Sequence, residues 1–293
     1  MSESEEIVVN IDEWIDKAKA DPAAYMERQA TEVFLTALGT TEPWCKKFFL
    51  KGGLLMGILY KSPRQTADID YSTILAPDPK IADQLTESLN KAFPAISANL
   101  GYPDIACRIQ TIKLLPRPEG FSEKQFPGLK VTVAYAQKGT PQEKRLLLGK
   151  SIHVLHADIS FKEPVGGFQI VRLGENGGTI NTYSLKDIIT EKYRAFLEQE
   201  KRNRRRRQDI YDLSILLNQF DFDDDEKSGM LDLLIEKCVA RDITPNKISI
   251  DNQENINRAK SEWSFLELEI GETPDFNECF EIARIFYKSL PWK

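Results

Sequence analysis

Two aspartates two residues apart, Asp68 and Asp70, stand in a stretch rich in β-forming residues. On a strand that spacing sends both carboxylates from one face. Adjacent carboxylates raise each other's pKa unless a cation neutralises them. Mg²⁺ suits the role, with Mn²⁺ as a substitute, because a hard ion is held by one or two carboxylates plus substrate phosphates. Alone, the pair reads equally as two solvated acids on an edge strand. Upstream, Gly52-Gly53 follows the apolar Phe48-Phe49-Leu50 and opens a helix-like run. Free N–H groups at a helix start attract phosphate, and glycine lets it approach the main chain. A tight turn would use the same pair. The order strand, Gly-Gly, helix, acid-bearing strand brings a phosphate cradle beside a metal-binding pair.

Other positions add to this set. Asp158 lies in His153-Val-Leu-His-Ala-Asp-Ile-Ser-Phe161. An acid within an apolar run is costly unless it is paired, satisfied by backbone donors or bound to metal. His156 shares its face by alternation, where a hydrogen-bonded rim histidine explains it as readily as a ligand. Lys192 lies four residues after Ile188 and four before Phe196, on the apolar stripe of a helix. It must snorkel outward or meet an anion. Asp209 and Asp212 are neighbours on one face of the next helix, with arginines just upstream as alternative partners. Between the two helices runs Lys201-Arg202-Asn203-Arg204-Arg205-Arg206-Arg207. Cations at that density suit a phosphodiester backbone, and no aromatic residue is there to stack on bases. A solvated loop would look the same.

Lys51-Gly52-Gly53, Leu59-Tyr60, Arg64, Thr66, Asp68 and Asp70 together resemble the KGG…L…Y…R-x-S/T-x-D-x-D motif of the AbiEii/AbiGii toxin family. Glu191-Lys192-x-Arg194-Ala195, followed by Arg207-x-Asp209-x-Tyr211-Asp212-Leu213, is similar to that family's EKxRA…RDxYDL. The departures are Gln208 between Arg207 and Asp209, and the long basic insert. The resemblance implies an α+β fold, with a polymerase-β-like nucleotidyltransferase domain on a mixed sheet at residues 1–183. A helical domain at 184–293 follows and contributes Lys192 and Asp209 to the site. Asp68, Asp70 and Asp158 would hold two Mg²⁺, and Gly52, Gly53, Arg64, Thr66 and Lys192 would hold the NTP. Asp209 would orient Lys192, with Asp212 the weaker candidate. The implied activity is that of a cytoplasmic toxin of a toxin–antitoxin or abortive-infection pair, moving NMP from NTP to RNA with release of pyrophosphate. The tRNA 3′ end is the implied acceptor and a cognate antitoxin the implied partner. In relatives the Thr66 position can be phosphorylated by the antitoxin, although β propensity alone accounts for a threonine at a strand entry. Other readings stay open: transfer to a protein hydroxyl or small molecule, a non-catalytic RNA- or partner-binding module, or a metal-dependent nuclease.

The elements that must position these residues follow from periodicity. Helical spacing runs over residues 12–38, broken at Pro22, then over 54–60 and 85–93. Strands are expected at 48–50, 68–75, 107–115, 129–137 and 151–161. A shorter pair, 168–173 and 179–182, flanks the turn Gly-Glu-Asn-Gly-Gly. After Tyr183 the pattern is helical, entered through Ser184 with Asp187 as a capping-box variant. Further helices are expected at 208–219, 226–240 and 277–290.

Composition bounds the reading. A chain of 293 residues, 41% hydrophobic, supports a substantial core. No apolar run approaches the roughly 20 residues needed to span a bilayer, and the acidic MSESEE start argues against export. The four cysteines are too scattered for a zinc site or a disulfide framework. Residues 208–293 hold 9 Lys+Arg against 19 Asp+Glu, whereas residues 1–207 hold 30 against 26. The net charge of −6 therefore joins a mildly basic body to a strongly acidic last third.

Overall fold

The computed structural model describes residues 6–64, 66–116, 119–175 and 177–293. The chain divides into two compact units. One takes in the chain up to Leu59, then Ala67–Glu163 and Phe168–Thr182; the other takes in Tyr60–Thr66, Pro164–Gly167 and Tyr183–Lys293.

The first unit contains β1 (Ile7–Val9), α1 (Ile11–Asp16), α2 (Pro22–Thr40), β2 (Phe48–Lys51), α3 (Gly52–Leu59), β3 (Asp68–Thr73) and α4 (Lys80–Asn99). There follow β4 (Ile105–Leu115), β5 (Gly128–Gln137), α5 (Pro141–Leu147), β6 (Val154–Phe161), β7 (Phe168–Leu173) and β8 (Thr179–Tyr183). Among the described residues the strands make one eight-stranded sheet, ordered β1-β7-β8-β2-β3-β6-β5-β4. It is mixed, as expected: β1/β7, β2/β8 and β3/β6 run parallel, while β2/β3, β5/β6 and β4/β5 run antiparallel. Alternation gives the sheet two unlike faces. Ile69, Tyr71, Ala157, Ile159, Leu129, Val131 and Val133 are buried on one face, and α2 and α4 pack on the sheet. Asp68, Asp70, His156, Asp158, Thr132 and Lys130 alternate onto the other face.

Several boundaries differ from the periodicity reading for physical reasons. Pro22 does not break a helix but starts one, with the Asp21 carboxylate accepting from Ala23 and Ala24 N–H groups. A proline in the first turn removes an N–H that has no helical partner anyway. Helix α4 passes through Pro94, because Ile81, Leu85, Leu89, Phe93 and Ser97 continue one buried face. That packing outweighs the one hydrogen bond the proline forfeits. Of the 174–178 turn, Asn176 lies outside the described residues; Leu173 N–H donates to the Gly178 carbonyl at 3.1 Å.

The second unit is helical: α6 (Leu185–Leu197), α7 (Arg207–Gln219), α8 (Asp224–Val239), α9 (Gln253–Lys260), α10 (Glu267–Ile270) and α11 (Phe276–Ser289). Its core gathers Tyr193, Phe196, Leu213, Leu234, Ala283 and Tyr287. Ser184 caps α6 by accepting from Asp187 N–H at 3.2 Å. The reciprocal half of the capping box is not made. Asp187 instead accepts from Ser184 Oγ at 2.9 Å and Gly166 N–H at 3.0 Å, and pairs with Lys237 at 3.1 Å. Only 2% of the Lys237 side chain is exposed, and its ammonium also donates to the Pro164 carbonyl and lies over the Tyr183 ring. A buried charge needs such a full set of partners.

Candidate active site

In the first unit the acids are placed by strand register. Asp70 lies opposite Lys51 of β2 on one side and opposite Asp158 of β6 on the other. Asp68 lies opposite His156. Asp158 is exposed, so the desolvation cost inferred from its apolar neighbours does not arise; those neighbours alternate to the other face. Gly52 takes a φ of +75°, and a Cβ added there would sit 2.3 Å from Asp70 Oδ2 and 2.9 Å from Asp70 Cβ. The Asp70 carboxylate thus rests against the bare Cα where α3 begins, and Gly53 is the second residue of that helix. Glycine is needed at position 52 on two counts, backbone angle and space.

Lys51 is 8% exposed and pairs with Glu163. The same Glu163 oxygen accepts from Ser72 Oγ at 2.6 Å. Glu163 lies beyond the end of β6, and no sequence pattern links it to Lys51 from more than a hundred residues away.

The chemistry of these donors suits a hard divalent ion, which takes carboxylate oxygens and fills its remaining positions with water and phosphate. Asp70 and Asp158 are register-opposed on neighbouring strands, about 5 Å apart by strand spacing. Among the described residues no three acidic, histidine or cysteine side chains converge into a cluster. A cation here would rest on one or two carboxylates and draw the rest of its shell from a triphosphate.

In the second unit, Lys192, 6% exposed, is held between two acids, 2.5 Å from Asp212 and 3.3 Å from Asp209. Asp212 is fully buried and also receives Arg64, whose Nε and Nη2 lie 3.4 and 3.3 Å from its two oxygens. Burial opposes the Asp212 charge, but Lys192 and then Arg64 outweigh it and hold the carboxyl below its ordinary value. Burial likewise opposes the Arg64 charge, and Asp212 more than offsets it, raising that group. Arg64 makes a further contact at 3.4 Å to Glu269. Thr66, two residues along, is half-buried. Asp212, the weaker candidate by sequence, is therefore the shared anchor of Lys192 and Arg64. Asp209 makes the longer contact to Lys192 and lies 4.0 Å from Arg206.

The basic run is partly spent inside the unit. Arg205 pairs with Glu262, while Arg207 reaches Glu262 at 3.1 Å and Glu269 at 2.9 Å. Arg202 reaches Glu198 at 3.2 Å. Sequence reading missed Glu262 and Glu269, whose only signal was the acidic bias of the last third.

A sequence model of the family described as Nucleotidyl transferase AbiEii toxin, Type IV TA system, matches residues 33–282. No curated protein sequence matches the chain. Among solved structures, the chain is similar to MenT4, a nucleotidyltransferase toxin from Mycobacterium tuberculosis H37Rv. The identity is 14% and the TM-score 0.57, over 94% of this chain and 87% of that one. It is also similar to JHP933 from Helicobacter pylori, at 13% identity and a TM-score of 0.48, over 92% of each chain.

Proposed function

The chain belongs to the AbiEii family of nucleotidyltransferase toxins, and we propose that it transfers NMP from an NTP to the 3′ end of tRNA, releasing pyrophosphate with a divalent cation. The family is a toxin–antitoxin one, so the reading includes a cognate antitoxin as partner. The observation that carries it is the Asp70 carboxylate, opposed in register by Asp158 and seated against the side-chain-free Gly52.

In this reading Asp68, Asp70 and Asp158 would share two divalent ions, Mg²⁺ or Mn²⁺, each resting on one or two of these carboxylates. When bound, the ion supplies charge neutralisation for the triphosphate and lowers the pKa of the attacking hydroxyl. Gly52 and Gly53 present main-chain N–H groups to phosphate oxygens at the start of α3. Lys192 offsets triphosphate charge, and Asp209 and Asp212 hold its ammonium in place. Arg64 and Thr66 line the NTP. Arg64 is fixed by two hydrogen bonds to one carboxylate, a geometry that holds a guanidinium in orientation as well as position. Asp158 accepts the proton of the attacking hydroxyl.

The test is incubation of purified protein with each labelled NTP, divalent cation and total tRNA. Label should enter the RNA from a preferred nucleotide, vanish with chelator and fall at least about a thousandfold with Asp70→Asn. No transfer from any of the four nucleotides, or transfer that Asp70→Asn leaves intact, overturns the reading. Label found on protein instead would reassign the acceptor.

A further inference from the structure

Within the helical unit, the loop 203–206 and α9 border a wide, solvent-open cleft of about 880 Å³. Its walls carry Arg204, Arg205 and Arg206 on one side and Arg258 on the other, against two acids, Glu254 and Glu262. The cleft contains no aromatic side chain, and its remaining lining is amide and hydroxyl: Asn203, Gln208, Asn257 and Ser261. The four cations differ in what holds them. Arg205 is paired with Glu262. Arg258 bonds Glu254 at 2.6 Å and Asn203 Oδ1 at 2.8 Å, bridging the two walls. Arg206 stands 4.0 Å from Asp209. Arg204 is exposed and makes no ion pair among the described residues. Its pKa is depressed, first by desolvation against the groups around its stem and then by Arg206 and Arg202, with Glu198 opposing. A folded chain that crowds a cation among cations stores repulsion that an anion relieves.

We propose that this cleft is a docking site for the phosphodiester backbone of RNA. The proposal rests on the RNA-acceptor reading above and adds where the acceptor is gripped. Arginine forks suit phosphate oxygens, and amides and hydroxyls suit sugar and phosphate edges. The absence of a stacking platform in the cleft means that it reads charge and shape, not bases. Glu254 and Glu262 neutralise part of the cleft until phosphates take their place. The Arg206 contact joins the cleft wall to Asp209, so the gripped backbone lies against the helix that carries the Lys192 partners.

The experiment is fluorescence anisotropy of end-labelled tRNA with the full chain across a salt series. Wild type should bind with affinity falling steeply in salt. Arg204→Ala/Arg258→Ala should weaken binding about tenfold at low salt and flatten the log–log salt slope by about two. Glu254→Gln, which removes an anion from an exposed surface pair and cannot act through misfolding, should tighten binding several-fold. Superimposable curves for all three proteins overturn the proposal, as does failure of wild type to bind RNA. Label transfer scored on the same preparations tests the acceptor reading separately. Transfer with identical anisotropy curves sinks the cleft alone; arginine-dependent binding without transfer upholds the cleft and sinks the acceptor reading. An acidic peptide that binds the cleft while RNA does not would reassign it to a protein partner and overturn the proposal.

Discussion

A bare Cα decides where one carboxylate can rest. Substituting Gly52 by Ala would force a Cβ to within 2.3 Å of Asp70 Oδ2 at a backbone angle that L-residues avoid. The variant should lose at least about 2 kcal/mol of stability and most of its transfer activity. Asp70→Asn should keep its melting temperature and lose activity, so thermal melts beside the labelling assay separate strain from chemistry. Asp212 makes a second residue-scale case. Asp212→Asn leaves Lys192 and Arg64 without their shared anion and should cost about 3–5 kcal/mol near pH 7. The native carboxyl titrates below its unfolded value of about 3.9. Its contribution is therefore complete above that pH and lost as the pH falls through the native pKa. Urea denaturation of both proteins should show the gap closing below about pH 4; a gap that persists there would refute the assignment.

Helix α2 carries an acid whose environment opposes its charge. Burial lifts the Glu32 carboxyl to about 7, against the lowering effect of the hydrogen bond from Tyr102 at 2.7 Å. Because the native value exceeds the unfolded one, this group favours folding most at low pH and progressively less up to about pH 7. Glu32→Gln keeps an acceptor for Tyr102 and should stabilise the protein by on the order of 2–3 kcal/mol at pH 8. That advantage should vanish below about pH 4.5, as read by melting curves at stepped pH. Elements were legible where one short-range pattern fixed them. The alternation of Asp68-Ile-Asp-Tyr71 and of His156-Ala-Asp-Ile159 put Asp68 with Asp70, and His156 with Asp158, on one face of their strands, but the apolar neighbours of Asp158 hid that its face is the exposed one. Their register across strands, and hence the opposition of Asp70 and Asp158, is a long-range pairing that neither pattern encodes. The same limit applies to α4, where periodicity stopped at a proline that tertiary packing overrides.

At the scale of the molecule, the family match over residues 33–282 and the mixed sheet followed by helices agree with the motif reading. No helix among the described residues is long and apolar enough to cross a membrane. The acidic last third acquires a structural role: its Glu262 and Glu269 neutralise Arg205, Arg207 and Arg64. Net charge showed the imbalance but could not show which cations it answered. A cut at residue 183, where the pattern turns helical, would also strip that unit of pieces it needs. A fragment of residues 184–293 lacks Arg64, partner of Asp212, and the Pro164–Gly167 segment that satisfies Asp187 and Lys237. Circular dichroism should find it short of helix and without a cooperative melt; a sharp transition would disprove the dependence.

Arg64 is made early by the ribosome, yet the carboxylates that seat it, Asp212 and Glu269, are translated 148 and 205 positions later. A polypeptide abandoned part-way through synthesis leaves that guanidinium unseated. Its two ionic partners come within reach only after α7 and α10 have joined the chain.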